Sequence, residues 1–162
     1  MSDITSEFRR TIETTSSKLL NLSESESGQP RAAGKWSPKE ILGHLIDSAA
    51  NNHIRFVKAQ FEDDLIFPGY DQERWVSTQR YNAAHWKELV ELWRQYNSHI
   101  AHVVDGIPNE ILQKKRTRHN LHQIAWQAVP ESEPTTLEYF VRDYVAHMKN
   151  HLRQILGDQF ES

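Results

Sequence analysis

The chain has 162 residues, with 19 Lys and Arg set against 22 Asp and Glu, for a formal charge of −3. That length suits one domain, read as residues 1–162. The slightly acidic balance argues against a nucleic-acid partner, and no apolar run is long enough for a helical membrane span.

Helical spacing runs through nearly the whole chain. Ile4, Phe8, Ile12, Leu19 and Leu20 predict a first helix over 3–23, followed by a polar loop to Gly34. Ser37, Pro38 and Glu40 then form a capping-box pattern with proline at the first helical position, a strong start signal for a helix over about 38–62. Its apolar positions are Ile41, Leu42, Leu45, Ile46, Ala49, Phe56 and Val57. Residues 63–71 read as a loop, and a short helix is expected over 71–78.

Trp86, Leu89, Val90, Trp93, Tyr96, Ile100 and Val104 mark a third long helix over 83–105, stopped by Gly106 and Pro108. A helical turn at 108–115 and a mixed, loop-like stretch over 117–134 anchored by Trp126 come next. Thr135 or Thr136 caps a last helix to about 156, with a stripe through Leu137, Phe140, Val141, Tyr144, Val145, Met148, Leu152 and Ile155. Strand alternation is weak. The fold class expected is all-α, a four-helix bundle with long connections between helices 2 and 3 and between helices 3 and 4. Trp36, Leu45, Trp86, Trp93, Phe140 and Tyr144 are the expected core, and long ordered connections commonly build the walls of a site.

Cysteine is absent and histidine is abundant, at nine residues. Disulfides, thiolate ligands and a catalytic Cys are therefore excluded, and a transition-metal site must use imidazole and carboxylate. His147 and His151 are four residues apart and share one edge of the last helix's apolar stripe, close enough to reach one ion. The alternative is two half-buried surface histidines. His44 borders the apolar face of the second helix, with Asp47 and Asn51 continuing a polar strip. A third nitrogen from a neighbouring helix would make a three-histidine set with open positions, the pattern of catalytic zinc.

The other histidines read differently. His53 falls toward the middle of an apolar face and is expected in the core. His99 and His102 point to a solvated face, and His85 sits at a helix start on the surface. His119 and His122, near Arg116 and Arg118, could contact an anion.

The stretch Lys35 to Asp47, with its W-S-x-x-E-x-x-x-H-L-x-D pattern, and the H-x-x-x-H-x-x-Q-I stretch from His147 to Ile155 resemble the DinB-like (damage-inducible B-like) superfamily. Tyr70-Asp71-Gln72-Glu73, Trp75, Gln79 and Tyr81 look like one branch of it. That family includes metal-dependent hydrolases and the bacillithiol and mycothiol transferases. The resemblance implies a four-helix bundle, a divalent metal ion on His44, His147 and His151, and a homodimer. Zinc and nickel are the leading ions for imidazole ligands. Leu152 stands where members often carry a further histidine, and Arg153 precedes Gln154 without the frequent glycine.

An ion on three neutral imidazoles would lower the pKa of a water or thiol near neutral pH. Two reactions follow, hydrolysis of a small electrophile or transfer of a low-molecular-weight thiol to one, the thiol coming from outside the chain. Asp47 is the candidate catalytic carboxylate, orienting His44 or accepting a proton. Asp143 is a lesser candidate whose helical angle points outward, and Tyr70 and Tyr81 could wall a cleft. The alternative to an enzyme is a catalytically silent metal- or small-molecule-binding module of a stress response. The polar N-terminus has no signal-like core, so a cytoplasmic location is expected.

Overall fold

In the computed structural model, which describes residues 3–161, the chain runs α1 (Asp3–Leu19), α2 (Glu24–Ser27), α3 (Pro38–Lys58), α4 (Gln72–Gln79), α5 (Trp86–Asp105), α6 (Asn109–Leu112), α7 (Leu121–Ile124) and α8 (Leu137–Leu156). Short 3-10 turns lie at Tyr81–Ala83 and Gly157–Phe160. α1, α3, α5 and α8 form a four-helix bundle. α3 packs on α5 and α8, and α1 packs on the same two helices, so α1 and α3 occupy opposite corners. Only α3 and α5 are neighbours both in sequence and in space, so the chain must cross the bundle after α1 and again after α5. The connection after α3, which joins adjacent helices, is nonetheless long and carries α4. Among the described residues no helix is long and apolar enough to cross a membrane.

The capping signals act as expected. The Glu40 amide donates to Ser37 Oγ at 3.2 Å while the Ser37 amide donates to Glu40 Oε2 at 2.8 Å, closing both halves of the box. Thr136, not Thr135, caps α8, its Oγ1 accepting from the Tyr139 amide at 3.1 Å. The interior takes Leu45, Trp86, Trp93, Phe140 and Tyr144. Trp36 is only half-buried, packed at the margin of the core with its ring beside His44.

Three elements depart from expectation. The first helix stops at Leu19, and Ser23 opens α2 in the supposed loop through a second capping box with Glu26. α3 ends at Lys58 instead of 62. Val57 and Ile54 face solvent, while Asn52, Arg55 and Phe56 turn inward. That rotation moves His53 to the rim, half-buried and edge-on to His99 at 4.9 Å, not into the core.

The two long connections are stitched together. The Leu65 amide donates to the Arg118 carbonyl and the Asn120 amide to the Leu65 carbonyl, each at 3.0 Å. Arg116 and Thr135 exchange backbone hydrogen bonds. His119 is buried here, with Nε2 bonded to the Glu133 carbonyl at 2.8 Å and Nδ1 accepting from the Leu121 amide. Its role is to hold the loops, and it is not placed to meet an anion. These connections wall the α3–α8 groove.

Candidate metal centre

α3 supplies His44 and α8 supplies His147 and His151, and one ring nitrogen from each lies within 4.8 Å of the others. The four-residue spacing on α8 stacks its two imidazoles one turn apart. Their ring centroids are 4.6 Å apart, and His44 completes the cluster at 5.2 Å from His147 and 4.7 Å from His151. His44, expected at a boundary, is in fact 1% exposed. Trp36 covers His44 and Trp126 covers His147.

The nitrogens themselves test whether an ion fits. His44 Nε2 faces His147 Nε2 at 3.2 Å, and His44 Nδ1 is buried with no hydrogen-bond partner. A neutral imidazole carries one N–H. If it sits on Nδ1 of His44, a buried donor is orphaned; if on Nε2, a buried acceptor is. A cation between the two Nε2 atoms removes the need for a proton there. Two imidazoles bound tetrahedrally at about 2.0–2.1 Å would hold their nitrogens about 3.4 Å apart, close to what is found. The third ring is prepared independently, since His151 Nδ1 donates to Gln154 Oε1 at 2.9 Å, leaving Nε2 with its lone pair free.

Burial keeps all three rings neutral at physiological pH. Desolvation pushes His44 down to about 4 and His147 down to about 3, and His151 also falls below its ordinary value. Neutral imidazole is the ligand form, so little proton competition opposes an ion.

Asp47 lies beside the cluster, not within it. It is 2% exposed, and its Oδ1 accepts from the Tyr81 hydroxyl at 2.6 Å and from Gln79 Nε2 at 2.7 Å. Oδ2 is buried without a partner, and burial raises the carboxyl above its usual range. The left-handed backbone at Arg80, φ 50° and ψ 52°, turns the chain so that residues 79 and 81 meet the same carboxylate. Asp143 points inward, contrary to its helical angle taken alone. It is 7% exposed and accepts from the Trp126 and Gln127 amides at 2.8 and 2.7 Å, clamping Trp126 over the histidines.

A cavity of about 250 Å³ opens from His147 and His151 along the α3–α8 groove to Tyr70, Asn52 and Arg55. Tyr70 walls this cleft, as the sequence allowed, whereas Tyr81 is buried against Gly43. Sequence reasoning placed Gln154 and Gln79 in motifs without a role and missed Arg55. The signal for the last was present: His44, Ser48, Asn52 and Arg55 repeat at helical spacing and form one buried polar stripe on α3.

The sequence profile of the DinB superfamily matches residues 7–155. A “Putative metal-dependent hydrolase” of Bacillus mycoides is 28% identical over 58 residues, 36% of this chain and 34% of that protein. One of the same name from Oceanobacillus iheyensis is 27% identical over 64 residues, 40% of this chain and 37% of that protein. The chain thus spans little more than a third of the length of the curated relatives it matches. YfiT from Bacillus subtilis, described as a probable metal-dependent hydrolase with an unusual four-helix bundle topology, superposes with a TM-score of 0.73 at 20% identity, over 96% of this chain and 86% of that one. At that identity the likeness is one of fold.

Proposed function

This chain belongs to the DinB superfamily, and from that premise we propose that it is a metal-dependent hydrolase of a small electrophile, with a divalent ion, zinc or nickel, held by His44, His147 and His151. The observation that carries this reading is the approach of His44 Nε2 to His147 Nε2 at 3.2 Å in a buried cluster whose third ring is oriented by Gln154. When bound, such an ion supplies Lewis acidity, polarising an electrophile and lowering the pKa of water or thiol.

The chain's own residues do the rest. The three neutral rings would leave the charge of a bound ion uncompensated. Trp36 and Trp126 exclude bulk water from two sides of the cluster. Gln154 fixes the tautomer and plane of His151. Asp47 serves as a positioning carboxylate for the His44 turn of α3, held by Tyr81 and Gln79, and it does not line the cavity. The cleft at His147 and His151 gives a substrate access to the open side of the cluster.

Elemental analysis of purified protein tests the site. The wild type is expected to hold one equivalent of ion, and His44→Ala, His147→Ala and His151→Ala to hold almost none. Equal metal content in all four proteins would refute it. Ester, amide and epoxide substrates, assayed with and without a low-molecular-weight thiol, then separate hydrolysis from thiol transfer. Hydrolysis independent of thiol is the expected result.

A further inference from the structure

Arg55 is 5% exposed and lines the cavity at the end away from the histidines. A buried guanidinium is rarely found without a carboxylate beside it. Among the described residues none pairs with this one: a terminal nitrogen donates to Asn52 Oδ1 at 3.3 Å and the other to the Pro68 carbonyl at 2.8 Å, both neutral acceptors, and the Phe140 ring lies 5.9 Å away. The negative groups nearby are otherwise engaged. Asp143, which also lines the cavity, is held by two backbone amides, and Asp47 by Tyr81 and Gln79. Tyr70 is no counter-ion, since burial pushes its phenol up to about 12 and keeps it neutral.

We propose that the Arg55 end of this cavity binds a carboxylate of the substrate, so that the electrophile turned over at the histidines is a small carboxylic acid anion. The fork of Arg55 matches a carboxylate's two oxygens, and one positive charge balances one negative charge. A phosphate would bring nearly two charges to a single guanidinium and leave the excess buried. The length is set by α8: Phe140, under Arg55, precedes His147 by two helical turns, which is about 10 Å. The substrate therefore carries its carboxylate and its reacting centre roughly that far apart, within a space suited to a metabolite and not a polymer.

This inference rests on the proposed hydrolytic site, yet the two fail separately, because anion binding is read on metal-stripped protein and metal content on histidine variants. The probes are hexanoate, neutral hexanamide and inorganic phosphate, titrated by calorimetry and thermal shift into chelator-treated wild type, Arg55→Lys and Arg55→Gln. Hexanoate is expected to bind the wild type and raise its melting temperature, with hexanamide and phosphate at least tenfold weaker. Arg55→Gln should lose at least tenfold in hexanoate affinity, and Arg55→Lys should keep part of it. If Arg55→Gln does not fold, the Arg55 Nε–H resonance in 15N-arginine-labelled wild type is expected to shift with hexanoate and not with hexanamide. No hexanoate binding, binding unchanged in Arg55→Gln, an unmoved Arg55 resonance, or tighter binding of phosphate would overturn the proposal. A purely structural Arg55 would lower the melting temperature of the variant and leave the ligand-induced shift intact.

Discussion

Tyr81 lies against Gly43 so closely that a Cβ at position 43 would come within 2.1 Å of the ring carbon Cδ2. Mid-helix glycine costs about 1 kcal/mol relative to alanine, so its presence between Leu42 and His44 needs a reason. The reason is the close approach of a rigid ring, which brings the Tyr81 hydroxyl to Asp47 Oδ1 at 2.6 Å. Gly43→Ala should therefore destabilise the protein by about 1–3 kcal/mol, since overpacking outweighs the helix-propensity gain. Denaturant unfolding measures it; a stabilised variant would contradict the packing.

Tyr81→Phe keeps the ring and deletes the hydroxyl. Hydrogen bonds from Tyr81 and Gln79 draw the Asp47 carboxyl down against the stronger upward push of burial. Removing one should move Asp47 further up, visible in a carboxyl-carbon NMR titration of wild type against variant. Stability should fall by about 1–3 kcal/mol, the range for loss of a partner to a buried polar group.

The histidine cluster makes the metal-free protein acid-sensitive. His44 and His147 titrate near 4 and 3 in the folded chain against an ordinary value of 6.5. Below pH 6.5 the unfolded chain therefore binds protons that the folded chain refuses, and stability falls as pH drops from about 6.5 toward about 4. Each group contributes a slope approaching about 1.4 kcal/mol per pH unit within that window. Asp47 and Asp143, both raised by burial, act with the opposite sign in the carboxylate range. Chemical unfolding of chelator-treated protein between pH 5 and 6.5 reads this slope, and His147→Gln should show the shallower dependence.

Much of this was legible in the residues. The period of three and four located all four bundle helices, and the Ser37 box and the end of α8 were placed to within a residue. Two members of the histidine trio were legible from their shared helix face, and His44 joined them through the resemblance to the DinB-like superfamily. What failed was rotation and long-range pairing. α3 carries apolar Ile54 and Val57 outward while His44, Ser48, Asn52 and Arg55 share its inward side with Leu45, Ile46, Ala49 and Phe56, and a hydrophobicity pattern reads the polar stripe as the solvent side. Asp47 was found as a carboxylate of interest, but its partners lie on a different element more than thirty positions away. No local spacing rule reports such contacts.

Gln154 gives the sharpest check on how the ligands are prepared. Its Oε1 accepts from His151 Nδ1 at 2.9 Å, which fixes the imidazole proton on Nδ1 and leaves Nε2 to the cluster. The ring is half-buried, so without that acceptor its Nδ1–H would turn to solvent and the tautomer would be free to exchange. Loss of such a hydrogen-bond partner commonly weakens metal affinity by about 10–100-fold. Gln154→Ala should therefore bind zinc about tenfold or more weakly in a competition titration with a chromogenic chelator, while its circular dichroism stays that of the wild type. Gln154→Glu, which keeps the acceptor and adds negative charge, should retain wild-type affinity or exceed it. Equal affinity in wild type and Gln154→Ala would mean that packing against His44 and His147 alone orients the third ring.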